Sequence, residues 1–566
     1  MSGYRSALSM PVIRFSLVAV AMLALFSGCA ADRPIHVRID NDIRRPERAV
    51  VIFFVDGLGE REFDEALAEG RLPNIATHIL ARGPRVENAV SCIPSITYAV
   101  GVTFITGRLP GHQGVLSNKW FDPSTGRFEN YCYIASYQQV DADYASSPTI
   151  YEILHDRVSV NIQLAIRRGV THSIDNWATS GLNWWSQNYT GVDCLVAQQF
   201  ELVGQRSRWW GRWPDLIMAY FPAIDKVGHQ AGPQSDAYKQ AVANVDKQIG
   251  RICGALKDVG MYERTSLCLV SDHGIVGVTP DKLLDIPLLL ERSTGRPVWT
   301  NRRTAPGQEA KVLGKYDYAV AVTASRWAAV YPLPNAIKDE RSRLASFSAA
   351  LDQFDAEAAS GGIDAVQDDL RSALPLWMTE ALAHPAVEMA ACSFRRGRVH
   401  VFTRDGHALI LRTDGPPERH TVYQETGHTV FEHSSIPSAD LDGNSDSRAW
   451  LRLTAHDRYP DLVPQIAAMF DSERAGNIVF FAADGWDFSL ADPYGGHGSI
   501  LPGEMRVPMA FAGPGLSPDM SIPYARSCDL MPTILHRLRA DPYKADDPRI
   551  DIDGIDLLPF SNSCHR

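Results

Sequence analysis

The chain has 566 residues, 45% hydrophobic and 21% charged, the balance of a soluble globular protein too long for one typical domain: one large core with a sizeable insertion, or two domains. A formal net charge of −11 excludes a nucleic-acid duplex as the main partner, because phosphate backbones select basic surfaces. Small phosphate esters are not excluded, since bound cations can dominate the local charge of a site.

In chain order, Arg5 and Arg14 precede the apolar run "FSLVAVAMLALF" at 15–26. Twelve residues are too few to span a bilayer but suit the apolar region of a secretory signal. The "FSGCA" that follows resembles a bacterial lipoprotein cleavage box, with Cys29 as the residue that would carry lipid. Residues 1–28 are then a signal peptide, and the charged stretch 29–49 is a tether. Removing 1–28 takes away two arginines and no acids, leaving −13. The mature chain is expected to be exported and lipid-anchored, on the periplasmic or cell-surface side of a bacterial membrane. Its eight other cysteines include no CxxC pair, which argues against a cysteine zinc knuckle.

The run "VVIFFVDG" is continuously apolar and stops at Asp56 and Gly57, as a strand buried on both faces would. The construction recurs at "DLIMAYFPAID", "SLCLVSDHG", "NIVFFAADG" and "VPMAFAGPG". Between these runs lie helical patterns, clearest at 234–258, where Ala241, Val242, Val245, Ile249, Ile252 and Leu256 recur at spacings of mostly three and four. Strand alternating with helix predicts an α/β fold with ligands outside the carboxyl ends of the strands. The catalytic core is expected at 50–275 and 476–566. The rhythm breaks over 276–475, read as an inserted cap; there "RVHVFTRDGHALILRTDG" carries a hairpin signal around an Asp-Gly turn.

Six metal-type side chains fall at or just after the strand ends. They are Asp56, Asp225 and His229 in "DKVGH", Asp272 and His273 in "SDHG", and His497 in "GGHGS". Three acids and three imidazoles are the inventory of a site for two zinc-like ions. Ahead of them, "SCIPSITYAVGVTFITG" offers four possible nucleophiles: Ser91, Cys92, Ser95 and Thr97.

With these residues the chain resembles the alkaline phosphatase superfamily, and within it the type I phosphodiesterase/nucleotide pyrophosphatase branch, from Val50 to about Val276 and again from about Asn477 to Phe560. The resemblance implies an alkaline-phosphatase-like three-layer sandwich with a mostly parallel central sheet. It implies two divalent ions, expected to be zinc, one held by Asp56, Thr97, Asp272 and His273, the other by Asp225, His229 and His497. "CIPS" is similar to the start of the sulfatase signature, but the arginine due after the serine is Ile96, and Cys92 stands fifteen residues before Gly107 where ten are required. Thr97 stands ten before, the position of the diesterase branch's nucleophile. The implied reaction is in-line attack by Thr97 on phosphorus through a phosphothreonine intermediate, with Asn118 donating to a phosphoryl oxygen. Tyr98 and Tyr220 match aromatic positions that would stack on a nucleobase. The branch's asparagine three residues after the nucleophile is Val100 here. The expected substrate is a small phosphate diester such as a nucleotide. Other activities on the same site would be phosphomonoesterase, phosphonate hydrolase or phospho-group transferase, and a non-catalytic surface lipoprotein is the remaining alternative. The sequence carries no signal for oligomeric state.

Overall fold

A computed structural model describes residues 43–132, 136, 138–175, 177–300, 313–338, 343–360, 367–413, 419–424, 430–431, 445–489, 494–540 and 551–558. The expected signal peptide, Cys29 and most of the tether lie outside the described residues.

The strand Ala49–Val55 runs through the middle of a six-stranded sheet whose order is Met509–Ala512, Thr265–Ser271, Ala49–Val55, Leu216–Phe221, Ser159–Ile162, His172–Ile174. All pairings are parallel except that of Met509–Ala512 with Thr265–Ser271. The period-2 geometry of a strand explains why its residues are all apolar. Val51, Phe53 and Val55 face one core, under the helices Tyr189–Trp210 and Asp236–Asp258. Val50, Ile52 and Phe54 face another, under Thr97–Thr106 and Leu530–Arg537. Helices on both sides of a mostly parallel sheet make the α/β three-layer arrangement expected from the sequence.

A second sheet of nine strands packs beside the first. Its order is Val298–Trp299, Tyr318–Thr323, Trp327–Pro332, Ile478–Ala482, Val387–Arg395, Arg398–Phe402, His407–Thr413, Arg419–Gln424, Ser445–Asp446. The expected hairpin is its pair Arg398–Phe402 and His407–Thr413. Two expectations are corrected. "NIVFFAADG" lies in this second sheet, antiparallel to both neighbours, not in the six-stranded sheet. "VPMAFAGPG" belongs to the six-stranded sheet but runs antiparallel at its edge. Val479 and Phe481 face the side packed on the first layer, while Ile478, Phe480 and Ala482 face helices on the far side. A strand covered on both faces is apolar throughout in either sheet, so composition does not reveal which one it joins.

Of the seven described cysteines Cys132 is exposed and the other six, Cys253 and Cys268 among them, are buried.

Candidate active site

Parallel register brings the strand ends level. Val55 is aligned with Phe221 on one side and Ser271 on the other, so the loops carrying Asp56, Asp225 and Asp272 leave the sheet together. Gly57, at φ +77°, lets the first loop press against the second: a Cβ there would sit 2.7 Å from the Cα of Asp225. Gly274 matters for proximity and not for a left-handed turn, because a Cβ would come within 2.1 Å of the Gly503 carbonyl oxygen. Asp225 and His229 share one face of the helix Ala223–Ala231, with His229 Nε2 3.1 Å from Asp225 Oδ1.

Each of the three buried carboxylates has one oxygen engaged by the protein and one without a hydrogen-bond partner. Asp56 Oδ2 accepts the Tyr220 hydroxyl, Asp225 Oδ2 accepts Lys226 Nζ at 2.7 Å, and Asp272 Oδ1 accepts the amides of Gly57 and His273 at 3.1 and 3.0 Å. Asp56 Oδ1, Asp225 Oδ1 and Asp272 Oδ2 are left over. The imidazoles are oriented to match. Backbone carbonyls of Gly495, Ser95 and Gly274 lie at 2.7, 2.9 and 3.2 Å from Nδ1 of His229, His497 and His273, so each Nδ1 donates and each Nε2 presents a lone pair. Those Nε2 atoms point at the leftover oxygens: His273 at Asp272 Oδ2 (3.2 Å) and Asp56 Oδ1 (3.5 Å), His497 at Asp225 Oδ1 (3.5 Å). Lone pair facing lone pair in a buried cluster fits cations between them.

Two groups of donor atoms are close enough to hold an ion: Asp225, His229 and His497, and Asp56, Asp225 and His273. Asp225 therefore stands in both groups, whereas the resemblance assigned it to one. Asp272 also belongs here through its contact with His273.

The electrostatics agree. Burial, with Asp272 and Asp225 nearby, pushes the Asp56 carboxyl well above the usual carboxylate range. Burial raises Asp272 to about 7. Burial opposes ionisation of Asp225 too, but Lys226 and His229 outweigh it and hold its carboxyl well below the usual range. Burial lowers His273 to about 4 and holds His497 well below its ordinary value, so both rings are neutral at neutral pH.

Of the four possible nucleophiles, three are committed elsewhere. Ser91 Oγ donates to the Asp272 carbonyl and Ser95 Oγ to the Ser499 carbonyl at 3.0 Å; Cys92 is a core residue whose thiol burial pushes up to about 12. Thr97 Oγ1 lies 3.3 Å from His273 Nε2. It opens the helix Thr97–Thr106, but the cap position is Ile96 and no side chain caps it, so Thr97 is not there as an N-cap. Asn118 Oδ1 accepts the Tyr98 amide at 3.1 Å, leaving its Nδ2 as the side chain's donor.

Tyr98 packs 5.2 Å from the Tyr131 ring and donates to the Tyr131 carbonyl. Tyr220 packs 5.0 Å from Phe54, and its hydroxyl fixes Asp56. Sequence reading missed that contact, and also Lys226, whose ammonium lies 5.9 Å from the Trp184 ring, although its place beside Asp225 was visible. It missed Arg326 and Glu504 altogether, which no motif marks. This buried pair joins the loops behind the site: Arg326 donates to Glu504 and to the carbonyls of Ala482, Ala483 and Trp486, its amide bonds the His497 carbonyl, and the Glu504 carbonyl accepts the Gly274 amide. The preceding Ala324 and Ser325 hold φ of +51° and +71°, and Ala324 accepts the His497 amide. Arg326→Met strands Glu504 in the interior. It is expected to cost about 3–5 kcal/mol in urea unfolding, with part recovered in Arg326→Met/Glu504→Gln. A loss below about 1 kcal/mol would show that the pair does not support these loops.

Comparisons with known proteins follow the same lines. The model of the type I phosphodiesterase / nucleotide pyrophosphatase family matches residues 50–372, more than half of the chain. An uncharacterized pyrophosphatase/phosphodiesterase of Schizosaccharomyces pombe is 25% identical over 264 residues, 45% of this chain and 50% of that one. Human ectonucleotide pyrophosphatase/phosphodiesterase family member 5 is 21% identical over 215 residues, 38% of this chain and 43% of that one. The chain thus spans half or less of the length of these relatives. Among solved structures, human ectonucleotide pyrophosphatase/phosphodiesterase 5 aligns with a TM-score of 0.52 and 15% identity, over 87% of this chain and 95% of that one. The inactive murine form in complex with AMP aligns over the same shares with a TM-score of 0.50 and 16% identity. These likenesses show the alkaline-phosphatase-like fold, and with the family match they lead to one conclusion: the chain belongs to the type I phosphodiesterase / nucleotide pyrophosphatase family.

Proposed function

We propose that the protein is a metal-dependent phosphodiesterase/nucleotide pyrophosphatase with Thr97 as nucleophile. The observation that carries this reading is the Thr97 hydroxyl 3.3 Å from His273 Nε2, beside three buried carboxylates that each present an unpartnered oxygen. Asp56, Asp272, His273 and Thr97 would hold one divalent ion and Asp225, His229 and His497 the other, with the Asp225 carboxylate in reach of both; mixed carboxylate and imidazole donors suit zinc. When bound, such ions stabilise an alkoxide and the charge on a phosphoryl group. Thr97, its hydroxyl proton released to solvent, attacks phosphorus in line; the ester P–O bond breaks and the leaving oxygen departs as the phosphothreonine forms. Water then cleaves the phosphothreonine to return the hydroxyl and release the phosphate product. The positive end of the helix that Thr97 opens and the Asn118 side-chain amide would stabilise the charge that develops on the phosphoryl oxygens. Tyr98 and Tyr220 are the proposed substrate contacts, Tyr220 also orienting Asp56. The AMP complex of the murine relative supports a nucleotide as ligand. The N-terminus, through Cys29, is proposed to hold the enzyme by a lipid on the periplasmic or cell-surface side of a bacterial membrane.

Lys226 favours a second reading, phosphomonoesterase. A monoester brings one more negative charge than a diester, and Lys226 places an ammonium at the mouth of the site, its side chain 37% exposed while Asp225 beneath it is 1% exposed. Turnover of bis-p-nitrophenyl phosphate against p-nitrophenyl phosphate, with zinc restored after chelation, separates the two. The diesterase reading expects the diester to be preferred, with Lys226→Met changing that ratio by less than about threefold. A monoester preference that falls about tenfold or more in Lys226→Met establishes the alternative.

A further inference from the structure

We infer that the face of the protein at the amino-terminal ends of the catalytic strands docks on an anionic phospholipid surface. The inference rests on the fold and on surface charge, not on the chemistry proposed for the site.

The chain is acidic overall, yet arginines collect where the parallel strands begin. Arg44 and Arg48 precede Ala49–Val55, Arg157 precedes Ser159–Ile162, and Arg212 precedes Leu216–Phe221. Contacts place them on one face. Arg44 forms a bridge with Arg212, and its carbonyl accepts the Trp213 amide at 2.9 Å. Arg157 donates to the Leu538 carbonyl at 2.7 Å, next to Arg539, and Arg539 in turn crowds Arg48 closely enough to lower its pKa, after burial the largest cause. Acids are interspersed: Asp215 holds Arg212 through both oxygens at 2.6 and 2.8 Å, Glu263 ahead of Thr265–Ser271 holds Arg82 at 3.0 Å, and Asp156 lies beside Asp215. The Glu47 contact is a loose 3.9 Å to an Arg539 that is 57% exposed, so the excess charge rests on Arg44, Arg48, Arg157, Arg208 and Arg539. Like charge gathered on one side of an acidic protein costs folding free energy, so a partner of opposite charge is the reading that accounts for it.

Lipid is the occupant for two further reasons. Trp209, beside the exposed Arg208, is 83% exposed, the highest value among the large hydrophobic side chains that are exposed. An indole among arginines is the composition that anchors a protein at the headgroup level of a bilayer. The second reason is where the segment ahead of the first catalytic strand joins the fold. Ile43 enters the fold on this same face, through the Arg44 bridge. Thirteen residues separate it from Cys29, a reach of at most about 50 Å. A lipid at Cys29 would therefore keep this face near the surface that the arginines attract.

The orientation has a consequence. The strand that begins after Arg48 ends before Asp56, so roughly 25 Å separates the basic face from the candidate metal ligands. Docked this way, the site opens away from the bilayer and draws its substrate from the aqueous phase.

The test uses the chain from residue 29 with Cys29→Ser, which cannot be lipidated, and vesicles of phosphatidylcholine with or without phosphatidylglycerol. Co-sedimentation is expected only with the anionic vesicles, weakening as salt is raised, with a blue shift in tryptophan fluorescence. Arg44→Glu/Arg208→Glu should weaken binding ~tenfold or more, and Trp209→Ala should remove most of the blue shift. All three side chains are exposed, so thermal melting should match the parent. Equal binding to neutral vesicles, or binding untouched by these variants, would overturn the inference. So would self-association through Trp209 in the absence of vesicle binding, which would assign the face to a second copy of the chain. Sedimentation is read without turnover, so failure here leaves the proposed chemistry standing, and the reverse.

Discussion

Thr97→Ala is expected to lower phosphoester turnover by about 10⁴-fold or more while leaving thermal stability within about 1 kcal/mol of the parent. The two halves of that expectation come from the same geometry. The helix Thr97–Thr106 takes its cap from Ile96 backbone and from no side chain, so losing the Thr97 hydroxyl removes no capping bond. The hydroxyl's contact in the fold is with His273 Nε2, inside the carboxylate cluster. Thr97→Ser keeps the oxygen and should keep part of the turnover, with the β-methyl's restriction on χ1 lost. Steady-state kinetics on a diester and a melting curve decide the matter together. A phosphorylated Thr97 peptide, trapped by acid quench and read by mass spectrometry, would place the covalent step. Full activity in Thr97→Ala would move the nucleophile elsewhere, and Ser91, Cys92 and Ser95 are poorly placed to replace it, each being bonded to backbone or packed in the core.

The sequence made Thr97 visible through register, ten residues before Gly107, and not through any property of threonine itself. The acids were visible for a different reason. A strand buried on both faces is apolar until it ends, so an aspartate that stops such a run stands where parallel strands deliver ligands. That rule placed Asp56, Asp225 and Asp272 together, and helical spacing added His229. The same rule misplaced "NIVFFAADG", because the second sheet is also covered on both faces and its strands carry the same apolar signature. Strand direction left no mark either, so the antiparallel edge strand Met509–Ala512 was unreadable. The sharing of Asp225 between two donor groups, the Tyr220 hydroxyl on Asp56 and the Arg326–Glu504 pair are products of tertiary approach between segments far apart in the chain. Glu504 is also no ordinary surface acid, since burial raises its carboxyl to about 7 even beside Arg326. One chain read alone carries no local pattern for such contacts.

Chelation should abolish turnover and also destabilise the fold, with a dependence on pH whose sign follows from the carboxylates. In the ion-free protein, burial raises Asp272 to about 7, against an ordinary value of 3.8, and raises Asp56 well above that range. The folded state then holds these protons more tightly than the unfolded chain does. Their contribution is fully present below about pH 4 and is lost as pH rises through about 7. The buried imidazoles work the other way, since His273 and His497 are held below their ordinary value and keeping them neutral costs more at about pH 5. The carboxylate part is therefore read as a difference: between about pH 5 and about pH 8 the chelated parent should lose more Tm than chelated Asp272→Asn. Cations placed between the unpartnered oxygens and the imidazole lone pairs remove that penalty, so the rise in Tm on adding zinc should be larger at about pH 8. Stoichiometry separates the ligands. Because Asp225 stands in both donor groups, Asp225→Asn should lose most of both ions, whereas His497→Ala should keep about one, as read by elemental analysis after dialysis against zinc. Equal metal content in the two variants would show that Asp225 is not shared. A zinc-induced Tm rise of the same size at both pH values would show that the three carboxylates do not act as one cation site.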